Sequence, residues 1–456
     1  MPSALAQLLA KRPLLLSVYE AVIRKLGHGR GVQLRSTRQN TAEVTIMLSR
    51  PSGTVAKRFA SAAAKTAVVQ EKTTVLESGL RVSSVELNGA TSSIVLAFRA
   101  GSRYQPANKQ GLTHLIRNSV GRDAQNFPGL ALVWNTAQNG GQLNAVSNRD
   151  VFAIEVNVVR DQSAVALSLL GQLGNNAFKP WDVEDVKHET LQADATYLSG
   201  TTIAFEQLHQ AAFRNGGLGL SNYSVNNVNT KDLSTFAKER LVAGEAVLVG
   251  VNVDHDALVQ AGSSQFPLGQ GQAAKAAPSK YFGGEVRKDG RGNRSYVAIA
   301  GEGSSITSVK DVAVQAVVAQ ILLSAAQKVT SEAISVNVNY QDAGLVGVQF
   351  AADNSNITAV TKSIAAAIKS ANANGLDNAK SVAAVQVLAE AQNASGVALE
   401  KATQVLAGVD ASPRDIADAI RAVTAQDVSQ ALSRVNGKLS LSAYGSTSLV
   451  PYLDEL

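Results

Sequence analysis

Gly111-Leu112-Thr113-His114-Leu115-Ile116-Arg117-Asn118 is the stretch on which the reading of this chain turns. In the inverted zinc motif H-x-x-E-H, two histidines and a glutamate share one helical face. The histidines hold the metal, and the glutamate acts as general base toward the metal-bound water. Here His114 fills the first position, Arg117 the glutamate position and Asn118 the second histidine position. A guanidinium ~4 Å from a zinc dication, at an effective dielectric of ~20, is opposed by about 8 kcal/mol. Arg117 cannot lose a proton, so it cannot be a base. Asn118 is a poor zinc ligand. The pattern predicts a helix without its chemistry: no catalytic residue, no metal site and no cofactor, with His114 a buried or half-buried histidine hydrogen-bonded in the core.

Composition narrows what else the chain can be. Its 456 residues suit two to three domains, and 45% hydrophobic with 17% charged residues is the balance of a globular protein. With no cysteine there are no disulfides, thiolate metal sites, cysteine nucleophiles or iron–sulfur ligands. The other histidines, His28, His188, His209 and His255, do not pair at metal-ligand spacing. His188-Glu189 are adjacent and so do not share a helical face. No apolar run is expected to reach the ~18 residues of a membrane helix, so membrane association is expected only through partners.

The net charge of +6 is unevenly placed. Residues 1–70 hold eleven Lys/Arg and two acids, Glu20 and Glu43, which leaves the remainder slightly acidic. A nucleic-acid binder carries its basic patch on the folded body, so none is expected here. A Ser-, Arg- and Ala-rich, acid-poor tail has the composition of a mitochondrial transit peptide. From Met47, the only methionine besides Met1, the chain reads without an acid until Glu71. Translation from Met47, or residues 1–46 as an upstream extension, and a mature start near residues 59–70 are the expectations.

From Glu71 the text becomes regular. Val75 to Leu87 alternates around Ser78-Gly79 as a hairpin. Strands are expected at 94–98, from Gly140-Gly141 through Ala145, at 151–158 and at 247–251. A short helix carrying His114 is expected, and others at 163–173, 181–198, 203–213 and 231–240, the last capped by Thr230. Residues 262–280, GSSQFPLGQGQAAKAAPSK, read as a linker. The pattern then restarts. Tyr296 to Gly301 echoes the strand ending at Ala100-Gly101, Ala343 to Phe350 echoes the strand from Val151, and Ile357 to Ile368 echoes the helix from Ser163. Asp427-Val428 echoes Asp232-Leu233, and Leu439 to Ala443 echoes the strand at Val247. All five offsets lie near about 195 residues, the signature of an internal duplication. The second half also contains a long helical stretch from Ala379 to Val409, broken near Asn393-Ala394-Ser395. The expected fold is α+β: two tandem homologous domains, each a mainly antiparallel sheet covered by helices. Their extents are 71–261 and 281–456, after a basic segment 1–70 and around the linker 262–280.

The duplication, the altered zinc position after the second strand and Gly140-Gly141-Gln142-Leu143-Asn144-Ala145 together resemble the pitrilysin-type metallopeptidase family over roughly residues 71–456. Phe178-Lys179-Pro180-Trp181 and Leu208 to Asn215 add to that resemblance. The family's remaining zinc ligand is a distal glutamate about eighty residues past the first histidine. Counting forward from His114 gives Asp194, aligning backward from Leu208-His209 gives Gln192, and Glu189 lies nearby. The resemblance implies a place among the family's non-catalytic structural core subunits of the mitochondrial ubiquinol–cytochrome c reductase complex, complex III, peripheral on the matrix side of the inner membrane. Its implied partners are a homologous core-protein-1-like subunit and the cytochrome b, cytochrome c-type and Rieske subunits. The alternative is the non-zinc, presequence-binding subunit of a mitochondrial processing peptidase. The short segment Leu322 to Glu332 lacks the glycine-rich loop of many relatives, which weighs against that alternative.

Overall fold

In a computed structural model the chain is described at residues 70–224, 228–273 and 275–456. The targeting segment expected at 1–70 lies, but for Gln70, outside the described residues, as do Met47 and the expected mature start.

The first sheet has the order β1-β2-β6-β3-β5-β4, built from β1 (Gln70–Val75), β2 (Arg81–Glu86), β3 (Thr91–Phe98), β4 (Gln142–Ser147), β5 (Phe152–Val159) and β6 (Ala246–Val251). The second has the order β7-β11-β8-β10-β9, from β7 (Gly284–Asp289), β8 (Arg294–Glu302), β9 (Ile334–Asn339), β10 (Gly344–Asp353) and β11 (Leu439–Gly445). Each contains one parallel pair, β2 with β6 and β7 with β11, and is otherwise antiparallel. Beyond the added edge strand β1, the two sheets therefore have the same order and pairing sense, which bears out the duplicated α+β fold.

The strand texts follow from where the helices lie. β6 is Ala246-Val247-Leu248-Val249-Gly250-Val251, buried at every position. A strand reads as continuously apolar when both faces are covered. One face of the first sheet packs on helices of its own half, with Ile94, Leu96, Phe152, Ile154 and Val156 meeting Leu115, Leu167 and Leu170. The equivalent face of the second sheet packs on helices Val309–Gln327 and Ile357–Lys369.

The opposite faces are covered by exchange. Helix Ala394–Ala407, from the second half, lays Val397, Ala398, Ala402 and Val405 on Val95, Ala97, Val247 and Val249 of the first sheet. Helix Gly200–Phe213, from the first half, lays Leu208 and Ala212 on Ala298, Ala300 and Leu345 of the second. The two helices begin about 195 residues apart, the offset of the duplication. Gly200 is required here, because a Cβ would lie 2.3 Å from the Tyr296 ring.

Polar contacts fix both docking poses. Arg99 Nε donates to the Leu406 carbonyl, 2.9 Å, at the C-terminal end of the visiting helix, where a cation is favoured. Buried Lys401 pairs with Glu71 and Asp410. On the other side Ser442 Oγ donates to the Ala204 carbonyl, 2.6 Å, and Phe282 N donates to the Ala212 carbonyl, 2.8 Å. Between the halves Arg103 bridges Asp150 (2.9 Å) and Asp342 (2.7 Å), while Gln341 N donates to Asp150.

Four readings need correction. Helix Thr230–Arg240 is capped by Asn229, not Thr230; Asn229 and Asp232 form a reciprocal capping box. Residues 262–264, placed at the head of the linker, are the last turn of helix His255–Ser264. The long helical stretch begins at Leu376 and breaks at residues 391–393. Helix Val309–Gln327 is long and apolar enough to cross a membrane by length and composition, and it is a core helix whose apolar side chains meet the sheet and neighbouring helices.

Leu208→Ala empties a fully buried site between an exchanged helix and the other half's sheet, at a cost of about 2–5 kcal/mol. Thermal or denaturant unfolding is expected to shift as one transition that includes both halves. Two separated transitions would contradict the interlock.

Candidate functional site

Helix Leu112–Asn118 starts after Gly111, whose φ of 107° is a left-handed conformation that glycine adopts without strain. Its apolar residues Leu112, Leu115 and Ile116 enter the core, which turns His114, Arg117 and Asn118 toward the polar helix facing them. That facing helix runs as Pro180–Asp185, a π-helical stretch Val186–Leu191, and Gln192–Tyr197.

One oxygen organises the site. Asp194 Oδ2 accepts from His114 Nε2 at 3.0 Å, from Arg117 Nη2 at 3.0 Å and from Asn118 Nδ2 at 3.3 Å. Asn118 Nδ2 also donates to the His114 carbonyl, 2.9 Å. Of the three candidates for the distal position, Asp194 is the one that reaches His114. Gln192 and Glu189 are exposed. The Tyr223 ring closes the cluster, edge-on to His114 and with the Arg117 guanidinium 5.0 Å from its centroid.

The charges are mutually stabilising. Burial works against ionising Asp194, but the His114 hydrogen bond and the Arg117 charge hold its carboxyl below the usual range. His114 is inaccessible to solvent, and burial pushes its pKa below the ordinary histidine value despite the Asp194 bond. The neutral ring then donates through Nε2 to the carboxylate. Nδ1 lies 3.2 Å from the Ser224 carbonyl, a contact that becomes a hydrogen bond only on protonation.

This donor set does not fit zinc. A catalytic zinc takes three protein ligands, whereas the facing groups here are one histidine, one carboxylate, an amide and a guanidinium. The carboxylate oxygen and the histidine nitrogen that could ligate a metal are hydrogen-bonded to each other. Among the described residues no group of three His, Asp or Glu side chains is placed to hold a metal ion. His188 lies apart, exposed, 3.7 Å from Glu184.

A second histidine, which sequence reading left unassigned, joins the halves. His209 Nδ1 donates to the Phe205 carbonyl, 2.8 Å, and Nε2 accepts from Tyr340 Oη, 2.8 Å. Burial, reinforced by the nearby Arg149 charge, holds it neutral well below the ordinary histidine pKa. Spacing alone carried no signal for this pair, since its partner sits 131 residues away.

Two outcomes follow. Asp194→Ala leaves Arg117 and the His114 N–H without their acceptor. The expected loss is about 1–2 kcal/mol, modest because Asp194 is over a third exposed, and a Tm equal to wild type would contradict the convergence. Because His114 and His209 both have depressed folded-state pKa values, the stability they confer is complete above about pH 6.5 and is lost as pH falls through the folded values. Their ring C–H NMR signals should therefore lie on the neutral side of the titration midpoint at pH 6.5. Half-titrated signals there would contradict the assignment.

Comparison with known proteins agrees with this geometry. Residues 81–224 match the insulinase (peptidase family M16) model and residues 227–388 match the peptidase M16 inactive domain. "Cytochrome b-c1 complex subunit 2, mitochondrial" of Mus musculus is 26% identical over 84% of this chain and 91% of its own length. The protein of the same name in Neurospora crassa is 28% identical over 90% and 96%. "Mitochondrial-processing peptidase subunit alpha-2" of Dictyostelium discoideum is 25% identical over 88% and 98%. Two matched M16 segments in tandem, on two sheets of the same topology, show that this chain belongs to the M16 peptidase family, the pitrilysin type.

Proposed function

We propose that the chain is core subunit 2 of the mitochondrial ubiquinol–cytochrome c reductase complex, a non-catalytic structural subunit that supports assembly and stability. The observation that carries the reading is the convergence of His114, Arg117 and Asn118 on Asp194, which occupies the hydrolytic position with an internal ion pair. Nearly full-length similarity to subunit 2 of that complex in two organisms supports it. The relatives are mitochondrial, and so is this chain in this reading. The basic, acid-poor residues 1–70 support import, and 71–261 and 281–456 are the two repeat domains around the linker 262–280.

The finer placement belongs to the same proposal. The subunit sits peripherally on the matrix side and pairs with a core-protein-1-like homologue. It contacts the cytochrome b, cytochrome c-type and Rieske subunits, reaching the membrane through them. With no cysteine it carries no iron–sulfur cluster, so its contribution is shape and interface. The processing-peptidase reading draws on the Dictyostelium relative, whose identity is only slightly lower.

Native purification from detergent-solubilised mitochondria separates the two. The chain is expected to travel with b- and c-type haem absorbance and quinol-oxidising activity. Elution as a soluble heterodimer of about 100 kDa that cleaves presequences would overturn the structural reading.

A further inference from the structure

Residues 124–148 contain no charged side chain, in a chain that is 17% charged. Within them helix Gly129–Gln138 buries only Gly129, Leu132 and Thr136. Leu130 (74% exposed), Val133 (42%) and Trp134 (60%) form an i, i+3, i+4 stripe facing solvent, and Phe127 (49%) precedes it. A surface helix ordinarily turns that stripe toward the core.

Trp181, 63% exposed, is tied to the same surface. Lys179 Nζ lies 5.6 Å from its ring centroid and 2.7 Å from Asp123, and Asp123 accepts from Gly129 N at the head of the helix, 2.7 Å. The second tryptophan of the chain therefore lies beside the head of the helix that carries the first. Tryptophan is the residue most enriched among interface hot spots.

Size and charge indicate the occupant. The three aromatic rings offer on the order of 350 Å² of accessible surface, the size of a functional patch. That falls short of the ~800 Å² each partner contributes to a standard interface, so this face alone does not sustain a self-dimer, and it suits one helix laid across it. The segment that follows Trp181 is net acidic, with Asp182, Glu184, Asp185 and Glu189 against Lys187 over residues 182–189. Of the nearby cations, Lys179 and Lys187 are paired with Asp123 and Glu184, which leaves Arg122 beside the head of the helix against Asp185 and Glu189. A net acidic segment is repelled by the anionic lipids of a membrane surface and attracts lysine and arginine.

We propose that this face docks an amphipathic helix of another protein subunit, apolar on one side and flanked by lysine or arginine. The inference does not depend on membership of the reductase complex. The tryptophans report occupancy directly. The purified full chain is titrated with a synthetic leucine–lysine amphipathic helix, with the same peptide carrying glutamate for lysine, and with anionic phospholipid vesicles. A saturable blue shift of tryptophan emission is expected with the lysine peptide alone. Leu130→Asp, exposed and therefore folded as wild type by Tm, should weaken binding roughly tenfold or more, with Val133→Ser as the second variant if Leu130→Asp lowers Tm. No shift, an equal shift with the glutamate peptide, undiminished binding by the variants, or a shift with vesicles would each overturn the proposal.

Discussion

The reciprocal exchange of two helices is the constraint on which the rest of this molecule depends. Each sheet has an apolar face that its own half of the chain leaves uncovered, and each is completed by a helix from the other half. Burying a Leu or Val side chain is worth roughly 1.5–3 kcal/mol, and each visiting helix buries several. Neither half alone satisfies both faces of its sheet, so the duplicated chain behaves as one unit. The polar contacts lie at the docking surfaces: Lys401 with Glu71, Arg99 on the end of helix Ala394–Ala407, and Arg103 between Asp150 and Asp342. Removing one partner of a buried pair costs far more than the pair contributes, so these contacts fix the register of the interlock.

Against that frame the altered zinc position has a structural meaning. The helix carrying His114 stands opposite the helix carrying Asp194, within hydrogen-bonding distance. Arg117 and Asn118 convert the gap between them into a hydrogen-bonded ion pair that joins the two elements. The site has become a fastening within the fold. That outcome fits a subunit valued for surface and shape, in which Trp134 and Trp181 lie outside and the residues at the motif positions are tied to Asp194.

Much of this was legible in the sequence, for identifiable reasons. Val151 to Val158 and Val247 to Val251 are apolar runs bounded by turn residues, and they are strands. The shared offset near about 195 residues gave the duplication. The exchange was not legible, because Ala402 and Leu208 read only as apolar helix positions and periodicity does not say which sheet they meet. Helix Val309–Gln327 escaped reading because its apolar residues are spread around its circumference without a 3.6-residue rhythm. Helix Gly129–Gln138 escaped because its apolar stripe faces solvent and its N-cap is Pro128, with no side-chain cap. The choice between Gln192 and Asp194 stayed open because counting forward from His114 and aligning backward from Leu208-His209 give different positions, and which side chain reaches His114 is set by the fold.

The central claim is that a peptidase fold persists here with its metal position filled by the protein's own ion pair. Metal analysis of the native chain, purified at pH 7.5 without chelator, tests it most directly. The account predicts zinc well below one equivalent, unchanged by His114→Ala. One equivalent of tightly held zinc, lost on His114→Ala, would contradict it.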